Sequence, residues 1–282
     1  MSRKASIKME YIQKLFLEVQ NYMQQKPELD QLIAFLEKEP PEFRSVSFES
    51  ASMELALQDL SIGSKLHNWK KLYTHFGKVH SFYLYIGLGW AFAKTANFPS
   101  SNWKPLHSLM QLMVFDGIGY YYGLFRGRKT VRKQMIPEEI DQKDYRGFDQ
   151  GLGRRLWYIA KGEVQEVTKL IQVFPVLRQP DLWRGLGIAC GYVGGNKKKD
   201  LELLAEAAAE WKQQLCSGVT LAGMARLTSN SVTEDIKRAS RILCDKTMEE
   251  IEEFKTNTID KIDLEGEGNS DNWITHLESW LV

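Results

Sequence analysis

The fold is decided by residues 145–195, which read YRGFDQGLGRRLWYIAKGEVQEVTKLIQVFPVLRQPDLWRGLGIACGYVGG. This stretch holds two Gly-Leu-Gly triplets, which begin at Gly151 and Gly185. A third Gly-x-Gly triplet begins at Gly117, at the same spacing before Gly151, and a fourth begins at Gly87, at a slightly shorter spacing before Gly117. A recurring spacing of about 34 residues is typical of a repeated helix–turn–helix unit.

The segments around the triplets are helical in pattern, and almost no alternation of apolar and polar residues marks a strand. Residues 145–160 and 164–174 form a predicted helical hairpin across Lys161-Gly162, followed by a third helix at 181–193. We therefore expect an all-α fold of stacked antiparallel helix pairs, solenoid-like, with a repeat of about 34 residues.

Changes in composition divide the chain into three parts. Residues 1–41 form a predicted helical arm, which ends at Pro40-Pro41 and could pack on the main body or on a second copy in a homodimer. Residues 42–245 form the predicted helical-repeat domain, beginning with an extended connector at 42–47 and including one long helix at 198–227. Residues 246–282 are an acidic tail, with ten acidic and three basic side chains, and we expect most of it to be solvated.

The glycines of the triplets require an explanation, because a glycine inside a helix costs about 1 kcal/mol relative to alanine. The favoured interpretation is close helix packing, in which the missing side chain lets a neighbouring backbone approach. The alternative is that the glycines open space for a ligand or free backbone N–H groups for an anion.

Three aspartates, Asp116, Asp149 and Asp181, precede three of the triplets, and we expect them to occupy equivalent positions of the repeat. Buried carboxylates need partners, and Arg154, Arg155, Arg178 and Arg184 are close in sequence. Structural ion pairs are the favoured interpretation, with acid–base or substrate-gripping roles as the alternative. For Asp149 we predict a hydrogen bond or ion pair to a residue outside 145–160, such as Arg178 or Arg184.

Aromatic side chains surround these acids in the sequence. They either fill a core or line a cavity for an apolar, unsaturated ligand, and we expect Asp116 and Asp149 to share that cavity with at least one tyrosine of 120–122 or with Trp157. The candidate catalytic residues are Asp116, Asp149, Tyr122 and Arg154. The candidate ligand-binding residues are Tyr120, Tyr121, Gln150, Trp157, Asp181, Trp183 and Tyr192.

Several functional classes are excluded or disfavoured. A net charge of +1 gives no general attraction to nucleic acid, and no apolar run reaches the roughly 20 residues of a membrane span. The five histidines and three cysteines lack the spacing of a metal site, and Gly151–Leu156 lacks the third glycine of a dinucleotide-binding motif. We therefore predict no metal, no cofactor, no nucleic acid partner and, because the start does not resemble a signal peptide, a cytoplasmic location.

Four motifs carry a resemblance to a known family: FESASMELAL (48–57), FDGIGYYYGLF (115–125), YRGFDQGLGRRLW (145–157) and DLWRGLGIACGYVGG (181–195). In this order they resemble a bacterial family of unknown function that is encoded beside enediyne polyketide synthases and in other bacterial gene clusters. The resemblance spans residues 43–244. It implies a role in natural-product biosynthesis around a polyene or enediyne core.

Two functional hypotheses follow from the residues and the resemblance. In the first, the protein is an enzyme or enzyme-like chaperone that encloses or modifies an apolar polyene or acyl molecule in an aromatic cavity. In the second, it is a non-catalytic helical-repeat adaptor that brings together pathway enzymes, among them a polyketide synthase or its carrier protein. A closed pocket lined by the motif acids would favour the first hypothesis, and an open concave surface would favour the second.

Overall fold

The computed structural model describes residues 3–63, 65–99, 109–265 and 270–281 of the chain. The described residues are helical, contain no strand, and include short π and 3₁₀ turns, as the predicted all-α class requires. The α-helices are α1 (Arg3–Met23), α2 (Leu29–Leu36), α3 (Pro41–Ser61), α4 (His67–Thr95), α5 (Leu109–Phe125), α6 (Tyr145–Ile159), α7 (Val164–Gln172), α8 (Gln179–Val193), α9 (Lys198–Ala208), α10 (Lys212–Thr228), α11 (Glu234–Ala239), α12 (Met248–Glu265) and α13 (Ser270–Trp280).

The core is a curved row of helices in the order α3, α4, α5, α6, α8 and α10, each packed on the next. Between α6 and α8 the chain passes through α7, and between α8 and α10 it passes through α9. The row curves until α10 contacts α4, and the Arg226 guanidinium of α10 donates a hydrogen bond to the Glu42 carbonyl near the start of α3. The six helices therefore surround an interior space.

The glycines of the triplets allow this packing. A Cβ atom built on Gly151 would lie 1.8 Å from the carbonyl oxygen of Asp116 in α5, and one on Gly153 would lie 2.1 Å from that of Leu182 in α8. Each helix with a complete triplet thus presents one glycine to the helix before it and one to the helix after it. The same approach to a neighbouring carbonyl, at 1.8–2.2 Å, holds for Gly87, Gly89, Gly117, Gly119, Gly185, Gly187 and Gly218. The interpretation as close helix packing is confirmed.

Two pairs of neighbouring helices in the row, α5 with α6 and α8 with α10, run in the same direction. Between α5 and α6, Gly147 lies against Phe115 and Gly123 lies against Arg155, so residue numbers rise together along both helices. The first part of α4 instead runs antiparallel to α3, since Asp59 contacts Trp69 whereas Ser45 contacts His80. The closest backbone contacts of the core are made at the glycines, between successive helices of the row.

Several element boundaries differ from the sequence expectation. Residues 42–47 are not an extended connector but the first turns of α3, which Pro41 begins at a position where its missing N–H is not needed. The predicted long helix at 198–227 is two helices, because Ala209 adopts a φ of 45° between α9 and α10. The sequence pattern predicts a long helical stretch at 69–96 with a break near Gly77, but the break in α4 lies at His80, whose φ is −123°. The sequence pattern also predicts a helix at 106–125, and the start of that range lies outside the described residues.

The arm and the tail both pack on the body. Helix α1 lies along α3, and Lys8 forms a largely buried ion pair with Asp235 of α11. Helices α12 and α13 contact α10, with Phe254 and Trp273 buried. The C-terminal segment is thus an acidic, docked layer and not a wholly solvated tail.

Replacing Gly151 with alanine should lower the free energy of unfolding by about 3 kcal/mol, because its methyl group has no space beside the Asp116 carbonyl. Gly127→Ala is the matched control, since the nearest atom to its added Cβ is 4.0 Å away. It should be neutral or stabilising by up to about 1 kcal/mol. Chemical denaturation monitored by circular dichroism measures both. Equal effects of the two substitutions would contradict the packing role of Gly151.

Candidate functional site

The helix row encloses a cavity of about 620 Å³. Its wall is formed by α1 together with all six helices of the row, and most of the surface is apolar or aromatic, including Phe16, Phe82, Trp90 and Met113. Several wall residues are also exposed to solvent, among them Leu17 at 59% and Phe125 at 58%, so the cavity has a mouth on the surface. We call the residues that both line the cavity and are exposed the mouth: Gln13, Leu17, Lys94, Leu124 and Phe125.

Polar side chains converge on one region of this apolar wall. The Arg154 guanidinium of α6 donates a hydrogen bond to Asp116 Oδ1 of α5. Gln150 Nε2 donates to Asp116 Oδ2 at 2.8 Å, so both oxygens of a fully buried carboxylate are satisfied. The Arg154 guanidinium also lies 5.2 Å from the centre of the Tyr120 ring, which fixes its position over an aromatic face.

Glu49 of α3 is the second carboxyl group of the cavity wall, and only 6% of it is exposed. Burial raises the pKa of Glu49 to about 7; the Arg154 guanidinium opposes this rise, and the Asp116 carboxylate adds to it. Burial also raises the pKa of Asp116, against the effects of Arg154 and Gln150. The site therefore contains a hydrogen-bonded carboxylate beside a carboxyl group that can change its protonation state near neutral pH.

Four tyrosines of the wall, Tyr83, Tyr120, Tyr158 and Tyr192, add phenol groups to the same region. Burial raises the pKa of each of them, so all four remain protonated in the physiological range. In the part of the chain that the structure describes, the Tyr83 hydroxyl and the Trp90 indole N–H are buried without a well-aligned hydrogen bond, although Tyr83 lies near Tyr192 and Trp90 near Glu49. These groups could bind a polar atom of an enclosed molecule.

Of the residues predicted from sequence, five line the cavity: Asp116, Tyr120, Tyr121, Arg154 and Tyr192. Asp149 does not share it. The Arg178 guanidinium donates to both oxygens of Asp149, with Nε at 2.8 Å from Oδ2, on another face of α6. The predicted partner of Asp149 is thus confirmed, whereas the expected common site of Asp116 and Asp149 is not formed.

The separation of the two aspartates follows from their register. Asp116 comes one residue before Gly117, but Asp149 comes two residues before Gly151 and Asp181 four before Gly185. Each residue of an α-helix turns by about 100°, so the three carboxylates point in different directions. The residues equivalent to Asp116 are instead Gln150 and Arg184, each of which directly precedes a first glycine.

The other predicted residues have structural positions away from the cavity wall. Gln150 donates a hydrogen bond to Asp116, and Asp181 forms ion pairs with Arg146 and Arg184. Trp157 and Trp183 are buried in the helix packing, at 1% and 2% exposure. Tyr122 is half-buried between Phe98 and Phe148, outside the cavity.

Sequence reasoning missed Glu49, Tyr83, Trp90, Arg155 and Tyr158 as cavity residues. The signal for Glu49 was present, because an acidic residue stands among small and apolar residues in FESASMELAL. The sequence did not show which residue packs against Glu49. The Glu49 carbonyl lies against Gly87, as the Asp116 carbonyl lies against Gly151, so Glu49 occupies the same position in α3 as Asp116 does in α5.

Within the described residues, no group of histidine, cysteine, aspartate or glutamate side chains is arranged to hold a metal ion. Across those same residues, no helix combines the length and apolarity needed to cross a membrane. The described residues thus form a helical protein with an apolar interior cavity.

The chain belongs to a family described as "Protein of unknown function (DUF1702)", whose sequence profile matches residues 1–279. The match therefore covers the α1 arm and the C-terminal helices as well as the helix row. No curated protein and no solved structure matches the chain.

Replacing Arg178 with methionine should destabilise the protein by about 3 kcal/mol at pH 8, because it leaves the Asp149 carboxylate buried without its partner. Burial already raises the pKa of Asp149 to about 6, although Arg178 lowers it, so the loss should shrink at pH 5, where the acid is protonated. Lys169→Met, which removes an exposed pair with Glu166, should cost at most about 1 kcal/mol. Similar costs for both variants in denaturation at pH 8 would refute this role.

Glu49 should make stability depend on pH. Its folded pKa of about 7 exceeds its ordinary 4.5, so the folded protein keeps a proton that the unfolded chain releases between these values. The free energy of unfolding should then fall by up to roughly 3 kcal/mol as pH rises from 4.5 to 7.5. Glu49→Gln should remove this part of the dependence. An unchanged pH profile of unfolding in the variant would show that Glu49 is ionised normally.

Proposed function

We propose that this protein encloses an elongated apolar small molecule of polyene or acyl type, as an accessory protein of bacterial natural-product biosynthesis. The cavity is the observation that supports this function best. Its volume of about 620 Å³ lies within the range of about 300–1,000 Å³ in which proteins bind small molecules. Its apolar wall with a few converging polar groups has the composition of such sites.

The aromatic wall favours an unsaturated ligand. Trp90 lies 5.3 Å from Tyr120 between ring centres, and Tyr83 lies 5.4 Å from Tyr192, so rings from different helices meet along the cavity. A conjugated chain can lie against such faces with favourable dispersion and ring contacts. Enclosure also keeps water and oxidants away from a reactive chain.

The polar region indicates what chemistry the site could add to binding. Asp116 is held by Arg154 and Gln150 and is suited to keeping Arg154 in place. Glu49 forms no ion pair of this kind and has the Trp90 indole N–H as a neighbour; its pKa of about 7, raised mainly by burial, matches the requirement for proton transfer at neutral pH. If the bound molecule is modified, Glu49 is therefore the group that gives or takes a proton.

The pathway assignment rests on the sequence motifs. The motif at 48–57 supplies Glu49, and the motif at 115–125 supplies Asp116 and Tyr120, so segments that resemble the enediyne-associated family contribute the acidic groups of the cavity wall. On this proposal the protein works in the cytoplasm beside a polyketide synthase or its carrier protein. The glycine-bearing helices would descend from one ancestral unit of about 34 residues, repeated along the chain.

A second candidate function is that of a non-catalytic adaptor. The observation that favours it is an exposed apolar segment between α7 and α8, where Val173, Val176 and Leu177 are exposed to 64%, 65% and 91%. Such a segment could contact a pathway enzyme. The position of Glu49 and Asp116 on an interior wall favours the enclosing function over this one.

Two substitutions separate the candidates. Ala189→Phe adds a ring on the cavity wall, whereas Leu177→Ser changes only the exposed segment. Binding of a conjugated polyene, measured by native mass spectrometry and absorbance, should weaken at least about tenfold in Ala189→Phe, because the ring occupies the ligand's space. It should be unchanged in Leu177→Ser. Thermal unfolding of both variants verifies that they fold.

The enclosing function would be contradicted if the wild-type protein bound no polyene and carried no co-purified organic molecule after gentle isolation from its host. Binding that survived in a folded Ala189→Phe variant would place the ligand elsewhere. Loss of association with a pathway enzyme in Leu177→Ser alone, without any polyene binding, would support the adaptor instead.

A further inference from the structure

The charges that face the cavity do not balance. Five ionic side chains line it: Glu49, Lys94, Asp116, Arg154 and Arg155. Asp116 and Arg154 form an ion pair and offset each other. With Glu49 at most partly ionised at neutral pH, because burial raises its pKa to about 7, the remaining wall carries a net positive charge from Lys94 and Arg155.

Arg155 differs from the other arginines of the helix core. Arg154, Arg178 and Arg184 each have an aspartate partner, and Arg226 donates to the carbonyl groups of Glu42 and Tyr192. Among the described residues, Arg155 has no carboxylate partner, and its Nε atom is buried without a hydrogen bond. The Arg155 side chain is half-buried beside Tyr120, so its buried Nε–H remains as a donor that an anion in the cavity could satisfy.

Arg155 lies near the mouth of the cavity. Its aliphatic stem packs on Gly123 of α5, where an added Cβ would lie 2.9 Å from Arg155 Cγ. The next two residues of α5, Leu124 and Phe125, belong to the mouth. The Phe125 ring centre lies 6.4 Å from that of Trp90, and Lys94 follows Trp90 by one turn of α4. The two cations thus flank the end of the cavity at which its wall reaches solvent.

We propose that the enclosed molecule is an amphiphile with an anionic head group, which binds Arg155 and Lys94 near the mouth while its apolar chain fills the cavity. This inference rests on the proposed enclosing function and specifies its ligand class. Carboxylate and phosphate heads share the required chemistry, since both accept charge-assisted hydrogen bonds from guanidinium and ammonium groups. The exposed apolar side chains Leu17 and Phe125 would contact the chain as it enters.

The test uses cis-parinaric acid, a conjugated 18-carbon fatty acid that fluoresces in apolar surroundings, and its methyl ester as the uncharged match. The acid should bind the full-length protein at least about tenfold more tightly than the ester, because only the acid carries the negative charge that Arg155 and Lys94 bind. Arg155→Gln should remove most of this preference while leaving the affinity for the ester within about twofold. Arg155→Lys should retain part of it.

The control is Arg128→Gln, which makes the same change in the exposed turn that follows α5, outside the cavity wall. It should leave both affinities unchanged. Displacement of parinaric acid by hexadecyl phosphate and by palmitate then distinguishes a phosphate head from a carboxylate head.

Two results would overturn the inference in different ways. Equal binding of acid and ester by the wild type would refute the anionic head group and leave the enclosing function intact. Failure of both probes to bind would refute the enclosing function together with the inference. An acid preference that persisted in Arg155→Gln, with unfolding like the wild type, would move the head-group site away from Arg155.

Discussion

The close approach between helix backbones at the glycine positions is the constraint on which the remaining structure depends. Where Gly151 meets the Asp116 carbonyl and Gly185 meets that of Gln150, no side chain separates the two helices. Such contacts fix both the spacing and the register of neighbouring helices, because any shift along the axis would bring a side chain against the same carbonyl. They also bring the residue before each first glycine to the same level in successive helices.

That register explains the polar organisation of the interior. Glu49 and Asp116 share it on α3 and α5, and Gln150 and Arg184 continue it on α6 and α8. Hydrogen bonds run between neighbouring helices at this level, from Gln150 to Asp116 and from Arg184 to Ser217. The carboxylates that are out of this register, Asp149 and Asp181, bind arginines elsewhere and stabilise the packing. One steric constraint thus separates the acids that face the cavity from those that do not.

The sequence predicted the helical class, the packing role of the glycines and the Arg178 partner of Asp149, because each depends on local pattern or on short helical offsets. The sequence did not predict which of the acidic side chains line the cavity together. The spacing of Asp149 and Asp181 suggested equivalence with Asp116, but offsets of one, two and four residues before the glycine place them on different helix faces. Glu49 was also not chosen as a site residue, since its position on the cavity wall depends on α3 joining the row and on the row closing through Arg226 and Glu42. These are long-range contacts that no local pattern encodes.

The central claim is that the space inside the helix row is a ligand site. Crystallography of the full-length protein soaked with a fatty acid brominated near the end of its chain tests it most directly, because bromine gives an anomalous signal that locates the chain. We predict a peak inside the wall formed by Glu49, Met113 and Tyr120. Bromine peaks confined to the outer surface, such as the exposed segment around Leu177, with the interior lacking any signal, would contradict the account.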